Sequence, residues 1–230
     1  VPVFQLVDEI IFPPVELADA DGLIAVGGDL TRERLIEAYK EGIFPWYSEG
    51  SPILWWSPDP RLVLIPEELK ISRSLRQVIK KGIFRVTFDT AFDTVIRNCS
   101  TVHKNRDGGT WITDEMIAAY SDLYEAGVAH SVESWLGETL AGGLYGISMG
   151  GVFFGESMFN IRTDASKVSF VTLVQQLSKW GYSLIDCQVT TKHLMTFGAR
   201  EIPRNEFMHR LGNALEYSLP SSKWSDIKGT

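Results

Sequence analysis

The feature that most constrains this chain is a run of three strands, a helix and a fourth strand between residues 129 and 188. Ala129–Trp135, Thr139–Ile147 and Val152–Met158 read as strands. Gly137-Glu138 and Met149-Gly150-Gly151 supply the turns, so the three form an antiparallel meander. Ser166–Trp180 has helical periodicity and Gly181 stops it. Ser183–Gln188 is then a strand, Thr190–Phe197 a helix, and Glu201-Ile202 a strand fragment before Pro203. A meander followed by helix, strand and helix confines the chain to a mixed α/β class.

The segment upstream fits that class. Leu62–Ile65 and Arg85–Phe88 read as strands, Ser72–Lys81 and Ala91–Asn98 as helices. Thr113 caps a helix that runs to Glu125, with Met116, Ile117, Tyr120, Leu123 and Tyr124 at helical spacing. Residues 1–61 differ: they hold Phe12-Pro13-Pro14, Gly27-Gly28-Asp29, Phe44-Pro45-Trp46 and Trp55-Trp56-Ser57-Pro58-Asp59-Pro60. One helix stands out there, Arg32–Glu41, with Thr31 as N-cap and Gly42 as stop, and the prolines forbid long elements. The expectation is a small aromatic-rich N-terminal domain at 1–61 and a larger domain at 62–230. The order of elements in the larger one resembles the acyltransferase fold of the GNAT type, in which a cleft between two central strands brings an acyl donor to an amine.

With 230 residues, 44% of them hydrophobic, the chain can bury a sizeable core. No run approaches the roughly 18 apolar residues of a membrane helix, and Val1-Pro2-Val3-Phe4 has no basic-then-apolar leader pattern. Cys99 and Cys187 match no zinc spacing, and free thiols suit a reducing, cytoplasmic setting. The net charge is −7. Against that balance, Lys70–Arg85 holds Lys70, Arg73, Arg76, Lys80, Lys81 and Arg85 and no acidic residue. Such a stretch is either a solvated helix face or a track for a polyanion.

Three groups of residues could carry chemistry. Asp186 and Gln188 are two apart on an expected strand, so both point to one face while Ile185 and Cys187 point to the other. Unpaired, they would be costly to bury, so they either cap the following helix or serve a site. Glu156 lies among Phe153, Phe154, Met158 and Phe159. Alternation puts it on a face with Phe154 and Met158, and Gly155 beside it suggests close backbone approach or a bulge. Trp46, Trp55, Trp56 and Trp111 lie in loops or at element edges, where they either stack on a flat ligand or join the two domains. The chain has no phosphate-binding Gly-rich loop, no Gly-x-Ser-x-Gly elbow and no paired metal spacing among its four histidines. The glycine loop by which coenzyme A acetyltransferases hold pyrophosphate is also missing after the third meander strand. The expectation is no metal and no cofactor.

Seven segments then occur in a familiar order: Gly27–Leu30, Gly42–Trp46, Trp55–Arg61, Ile71–Ser74, Gly109–Thr113, Gly155–Phe159 and Ile185–Gln188. Together they resemble the bacterial leucyl/phenylalanyl-tRNA–protein transferase family. The resemblance implies transfer of leucine or phenylalanine from aminoacyl-tRNA to proteins with N-terminal Arg or Lys, which marks them for N-degron proteolysis. It implies a cytoplasmic enzyme that needs neither metal nor ATP. It assigns Asp186 and Gln188 to catalysis, with Gln188 orienting the attacking amine and Asp186 polarising the arrangement or taking the proton. It assigns Glu156 to the cleft, Trp46 and Trp111 to the terminal adenosine, and Phe153, Gly155, Ser157, Met158, Phe170 and Ile185 to the substrate pocket. Arg73, Arg76, Lys80, Lys81 and Arg85 become tRNA contacts. Leu144 and Phe170 bear on the choice between leucine and phenylalanine, Lys104–Gly108 reads as a charged loop, and the tail beyond Leu211 carries no motif. The default state is a monomer. Two rival readings are a coenzyme A-dependent N-acyltransferase and a non-catalytic module that binds tRNA or peptide ends.

Overall fold

The computed structural model describes residues 3–107, 110–217 and Trp224. The chain builds two sheets. In the first, β1 (Phe4–Leu6), β2 (Leu23–Gly27), β4 (Leu54–Trp56) and β3 (Phe44–Pro45) lie side by side in that order, with α1 (Arg32–Lys40) between β2 and β3. The prolines limit these strands to two to five residues but do not prevent them, because backbone pairing needs only a few free N–H groups. The sequence pattern expected α1 and none of the four strands. Thr31 does occupy the N-cap position, but its hydroxyl bonds Asp29 Oδ1 and leaves the helix amides alone.

The second sheet has seven strands in the order β11-β5-β10-β9-β8-β7-β6. These are β5 (Arg61–Leu64), β6 (Arg85–Phe88), β7 (Ala129–Leu136), β8 (Thr139–Met149), β9 (Val152–Asn160), β10 (Leu184–Asp186) and β11 (Arg200–Ile202). The expected meander is β7-β8-β9, antiparallel throughout. The pair β9–β10 is parallel and is joined by α5 (Ala165–Trp180), the crossover helix that parallel pairing requires. Gly181 ends α5 at φ 85°, a conformation that costs glycine little.

Helices cover both faces. Val168, Val171, Val174 and Leu177 of α5 pack with Leu62, Leu64, Val132, Phe153 and Ile185 on one face, beside Leu75 of α2 (Arg73–Lys80). On the other face, α3 (Phe92–Asp107) and α4 (Asp114–Glu125) contribute Val95, Ile96, Cys99, Met116, Ile117 and Tyr120 to a core shared with Phe154, Phe159 and the N-terminal domain. Thr113 caps α4 as expected, accepting from Met116 N at 3.2 Å. The mixed α/β class holds, with three corrections. α3 runs on to Asp107, so 104–107 are helical where a loop was expected; Gly108 lies outside the described residues. The helix after β10, α6 (Lys192–Met195), is a single turn. α7 (Arg204–Leu215) had no motif to announce it, yet Phe207, Leu211 and Ala214 are buried. No helix of the described residues is long and apolar enough to cross a membrane.

Candidate active site

The site begins where β9 and β10 part. Leu184, Ile185 and Asp186 pair with Val152, Phe153 and Phe154; β10 then ends while β9 continues to Asn160. A parallel pair that loses one strand opens a crevice at its carboxyl end, the usual place for a ligand in such sheets. Gly155 borders the opening: a Cβ there would meet only the Asp186 carbonyl oxygen, at 3.6 Å.

β9 is bulged at this point. Tyr145 faces Ser157 and Gly146 faces Gly155, so Glu156 is the extra residue. The bulge is one of the two readings of Gly155, but its consequence was not expected. It reverses the alternation, so Phe154 packs on the α3 face and Met158 on the α5 face, and Glu156 does not share a face with both.

A cavity of about 420 Å³ fills the opening. Its floor is apolar, from Leu144, Phe153, Met158, Phe170, Leu173 and Ile185, and its rim carries Trp46 and Trp111. Trp46 is 44% exposed, and its ring lies 6.0 Å from that of Trp56. Gly155, Glu156, Ser157 and Gln188 supply polar wall. Every residue expected in the substrate pocket is therefore gathered here. Trp55 is different: it is fully buried, donates to the Gly27 carbonyl at 2.8 Å and belongs to the core.

The polar wall is a network built from four parts of the chain. Gln188 Nε2 donates to Glu156 Oε1 at 2.8 Å. Tyr39 of α1 donates to Glu156 Oε1 at 2.7 Å, and Tyr120 of α4 to Oε2 at 3.1 Å. The two tyrosine hydroxyls also touch each other. Burial raises the Glu156 pKa to about 7, partly offset by the Tyr39 and Tyr120 hydrogen bonds and pushed further by the Asp186 charge. Burial also holds both tyrosines well above the usual phenol range, with the Glu156 charge adding to it, so they remain donors.

Asp186 is placed elsewhere. The strand stops at it, and Gln188 adopts φ 60°, so alternation does not put the two side chains on one face. Asp186 is fully buried and absent from the cavity wall. Arg61 grips it at both oxygens, with Nε to Oδ1 at 2.8 Å and the second guanidinium nitrogen to Oδ2 at 2.6 Å. Asp186 Oδ1 also accepts from Gln188 N at 2.8 Å, and Gln188 O accepts from Leu62 N at 3.3 Å. Asp186 thus fixes the backbone that aims Gln188. Cys187, expected to point away, lines the cavity; its thiol is pushed up by burial and is inert as a nucleophile.

Arg61, Tyr39 and Tyr120 were missed. Arg61 closed a proline-rich motif and the tyrosines sat at core spacing, so only long-range contacts reveal their partners. Arg61 lies between the rings of Phe44 and Phe207, at 4.9 and 4.5 Å. The basic stretch is as expected from its charge: Arg73, Arg76, Lys80, Lys81 and Arg85 are exposed, and no carboxylate of the described residues pairs with them.

An apolar cavity with a buried amide–carboxylate pair and an exposed basic helix describes a group-transfer enzyme. The leucyl/phenylalanyl-tRNA protein transferase family model matches residues 63–212, and the N-terminal domain model of the same family matches 28–59. The chain is 58% identical over 223 residues to a leucyl/phenylalanyl-tRNA–protein transferase of Syntrophobacter fumaroxidans, covering 97% of this chain and 95% of that one. It is 54% identical over 227 residues to one from Myxococcus xanthus, covering 98% and 97%. The chain belongs to the leucyl/phenylalanyl-tRNA–protein transferase family. Solved structures resemble it only distantly. The L-PGS of Bacillus licheniformis matches at 12% identity and TM-score 0.41, over 83% of this chain and 62% of that one. A GCN5-related N-acetyltransferase from Kribbella flavida matches at 10% and 0.35, over 72% and 59%. Those two likenesses are too weak to bear on the site.

Proposed function

We propose that the cavity holds the aminoacyl end of a charged tRNA and that transfer to a protein N-terminus takes place at Gln188. The observation that carries this is the pairing of an apolar floor with one oriented amide. A leucine or phenylalanine side chain fills the floor, and the terminal adenosine stacks between Trp46 and Trp111. Gln188 Nε2 is committed to Glu156, so its Oε1 is left to accept a hydrogen bond from the acceptor α-amine. The amine nitrogen attacks the ester carbonyl, the bond to the ribose 3′-oxygen breaks, and that oxygen takes the proton the amine loses, relayed by the neighbouring 2′-hydroxyl. The ester is already activated, so peptide-bond formation needs no further energy source.

Glu156 adds negative charge near the cationic N-terminal Arg or Lys of the acceptor, and the product enters N-degron proteolysis. Arg73, Arg76, Lys80, Lys81 and Arg85 follow the tRNA backbone. Charged tRNA as the donor supports a cytoplasmic setting. Asp186 acts through Arg61 and the Gln188 backbone; this replaces proton transfer by Asp186 itself.

The test is a peptide with N-terminal Arg, incubated with leucyl- or phenylalanyl-tRNA and no coenzyme A. Gain of one aminoacyl mass is expected. Gain only with an acyl-coenzyme A would favour the small-molecule acyltransferase, and binding without gain a recognition module. The pocket assignment has its own test: Phe153→Leu should change the ratio of phenylalanine to leucine transfer.

A further inference from the structure

Trp224 stands in the part of the sequence where no motif was visible, yet it is only 4% exposed. Its indole stacks on the His130 ring at 4.0 Å between centroids and 6° between planes. Trp180 and Phe88 close around it at 5.1 and 6.1 Å. Its backbone N donates to Asp89 Oδ2 at 3.0 Å, the oxygen that also meets His130 Nδ1 at 2.8 Å. Asp89 Oδ1 accepts from Ser131 N at 2.8 Å. The end of β6 and the start of β7 therefore form a socket with matched hydrogen bonds for this one residue.

The socket opens onto the active-site floor. Trp224 lies 5.8 Å from the Phe153 ring, tilted by 32°, and is not itself part of the cavity wall. Phe153 is held from another side by Gly146: a Cβ on that glycine would come within 2.5 Å of Phe153 Cζ and 2.8 Å of Cε1. The ring rests on bare backbone there and cannot move toward it. Trp224, outside the cavity wall, stands against another part of the ring.

We propose that Trp224 is a positioning residue that sets the depth of the donor side-chain pocket, and with it the balance between leucine and phenylalanine, by holding the Phe153 ring forward. This rests on the reading of the cavity as the donor pocket. Shortening Trp224 leaves a gap behind Phe153, the ring falls back, and the pocket gains room that a phenyl group fills better than an isobutyl group. One extra or missing methylene in an apolar pocket is worth roughly 10- to 200-fold in discrimination, and a partly relaxed gap should realise the low end of that range.

The test compares Trp224→Ala, Trp224→Leu and Trp224→Phe, measuring kcat/KM for phenylalanyl-tRNA and leucyl-tRNA on the same preparation with one Arg-initiated peptide. A ratio on one preparation does not depend on the fraction folded, so lost stability alone cannot move it. The Phe-over-Leu ratio should rise about 10-fold in the alanine variant, less in the leucine variant, and return close to the parent value with phenylalanine. Should the alanine variant not fold, the leucine and phenylalanine variants carry the same grading. An unchanged ratio across the series overturns the proposal. So does a Phe153→Leu/Trp224→Leu double variant whose effect on the ratio is the product of the two single effects, because residues acting through one ring do not combine independently. If Phe153→Leu alone leaves the ratio unchanged, the pocket assignment itself fails.

Discussion

Two carboxylates flank Gln188, Asp186 buried and Glu156 half-buried, and the protein treats them in opposite ways. Asp186 faces a guanidinium that covers both its oxygens, on a side of the sheet closed by Phe44 and Phe207. Glu156 faces only neutral donors, two tyrosines and an amide. The first charge is neutralised by a partner. The second is not, so removal from water raises its pKa to about 7. Glu156 also keeps some surface in the cavity, which softens that penalty relative to a core group. One carboxylate is thus paired with a cation and holds backbone in place, and the other, with its pKa near 7, sits in the cavity wall.

The difference can be broken most severely at Arg61. Arg61→Met leaves Asp186 buried without its cation and should cost about 3–5 kcal/mol. Thermal unfolding should register it as a drop of roughly 10 °C. Adding Asp186→Leu should recover much of the stability and none of the activity, since Gln188 N then loses its acceptor.

Gln188→Asn is the next largest and separates aim from stability. Asparagine tolerates the left-handed backbone at this position, but its amide is one methylene short of Glu156. kcat should fall on the order of 10²-fold with little change in unfolding temperature, which steady-state transfer kinetics and a thermal scan would resolve.

The Glu156 side is sharpened by pH. Its pKa in the folded protein, about 7, lies above the ordinary 4.5, so between those values the folded state holds a proton that the unfolded state has lost. Stability therefore falls as pH rises through that window, by on the order of a few kcal/mol at most. Glu156→Gln should flatten this slope in unfolding curves taken from pH 4.5 to 8. Tyr39→Phe removes a hydrogen bond that lowers the Glu156 pKa, so it should extend the slope to higher pH.

The smallest effect concerns charges that are neither buried nor paired. Arg76→Ala with Lys80→Ala should weaken tRNA binding and reduce the log–log salt slope by about two units, one per phosphate contact. An unchanged slope would make the helix face merely solvated.

Much of the catalytic sheet was legible because its signals are local. Gly127 and Gly181 stop helices, Gly137 and Gly150 turn the meander, and Thr113 caps α4, each within a few residues of what it governs. The pocket residues were legible as motifs. The strands of the N-terminal domain were not, because two- and three-residue strands have no period to detect. α7 and Trp224 were silent because what buries them comes from far along the chain.

The sequence by itself determined the mixed α/β class, the meander and the helix after it, the basic stretch with no acidic residue in it and, through ordered motifs, part of the cavity lining. Those follow from periodicity, turn chemistry, charge and ordered motifs, all written in the order of the chain. Only the tertiary structure decided that Asp186 belongs to Arg61, that Glu156 sits on a bulge under Tyr39 and Tyr120, and that Trp224 backs Phe153. Each of those depends on which distant group occupies the space beside a side chain. In a buried site that neighbour, more than residue type, sets whether a carboxylate is a clamp or a titrating group.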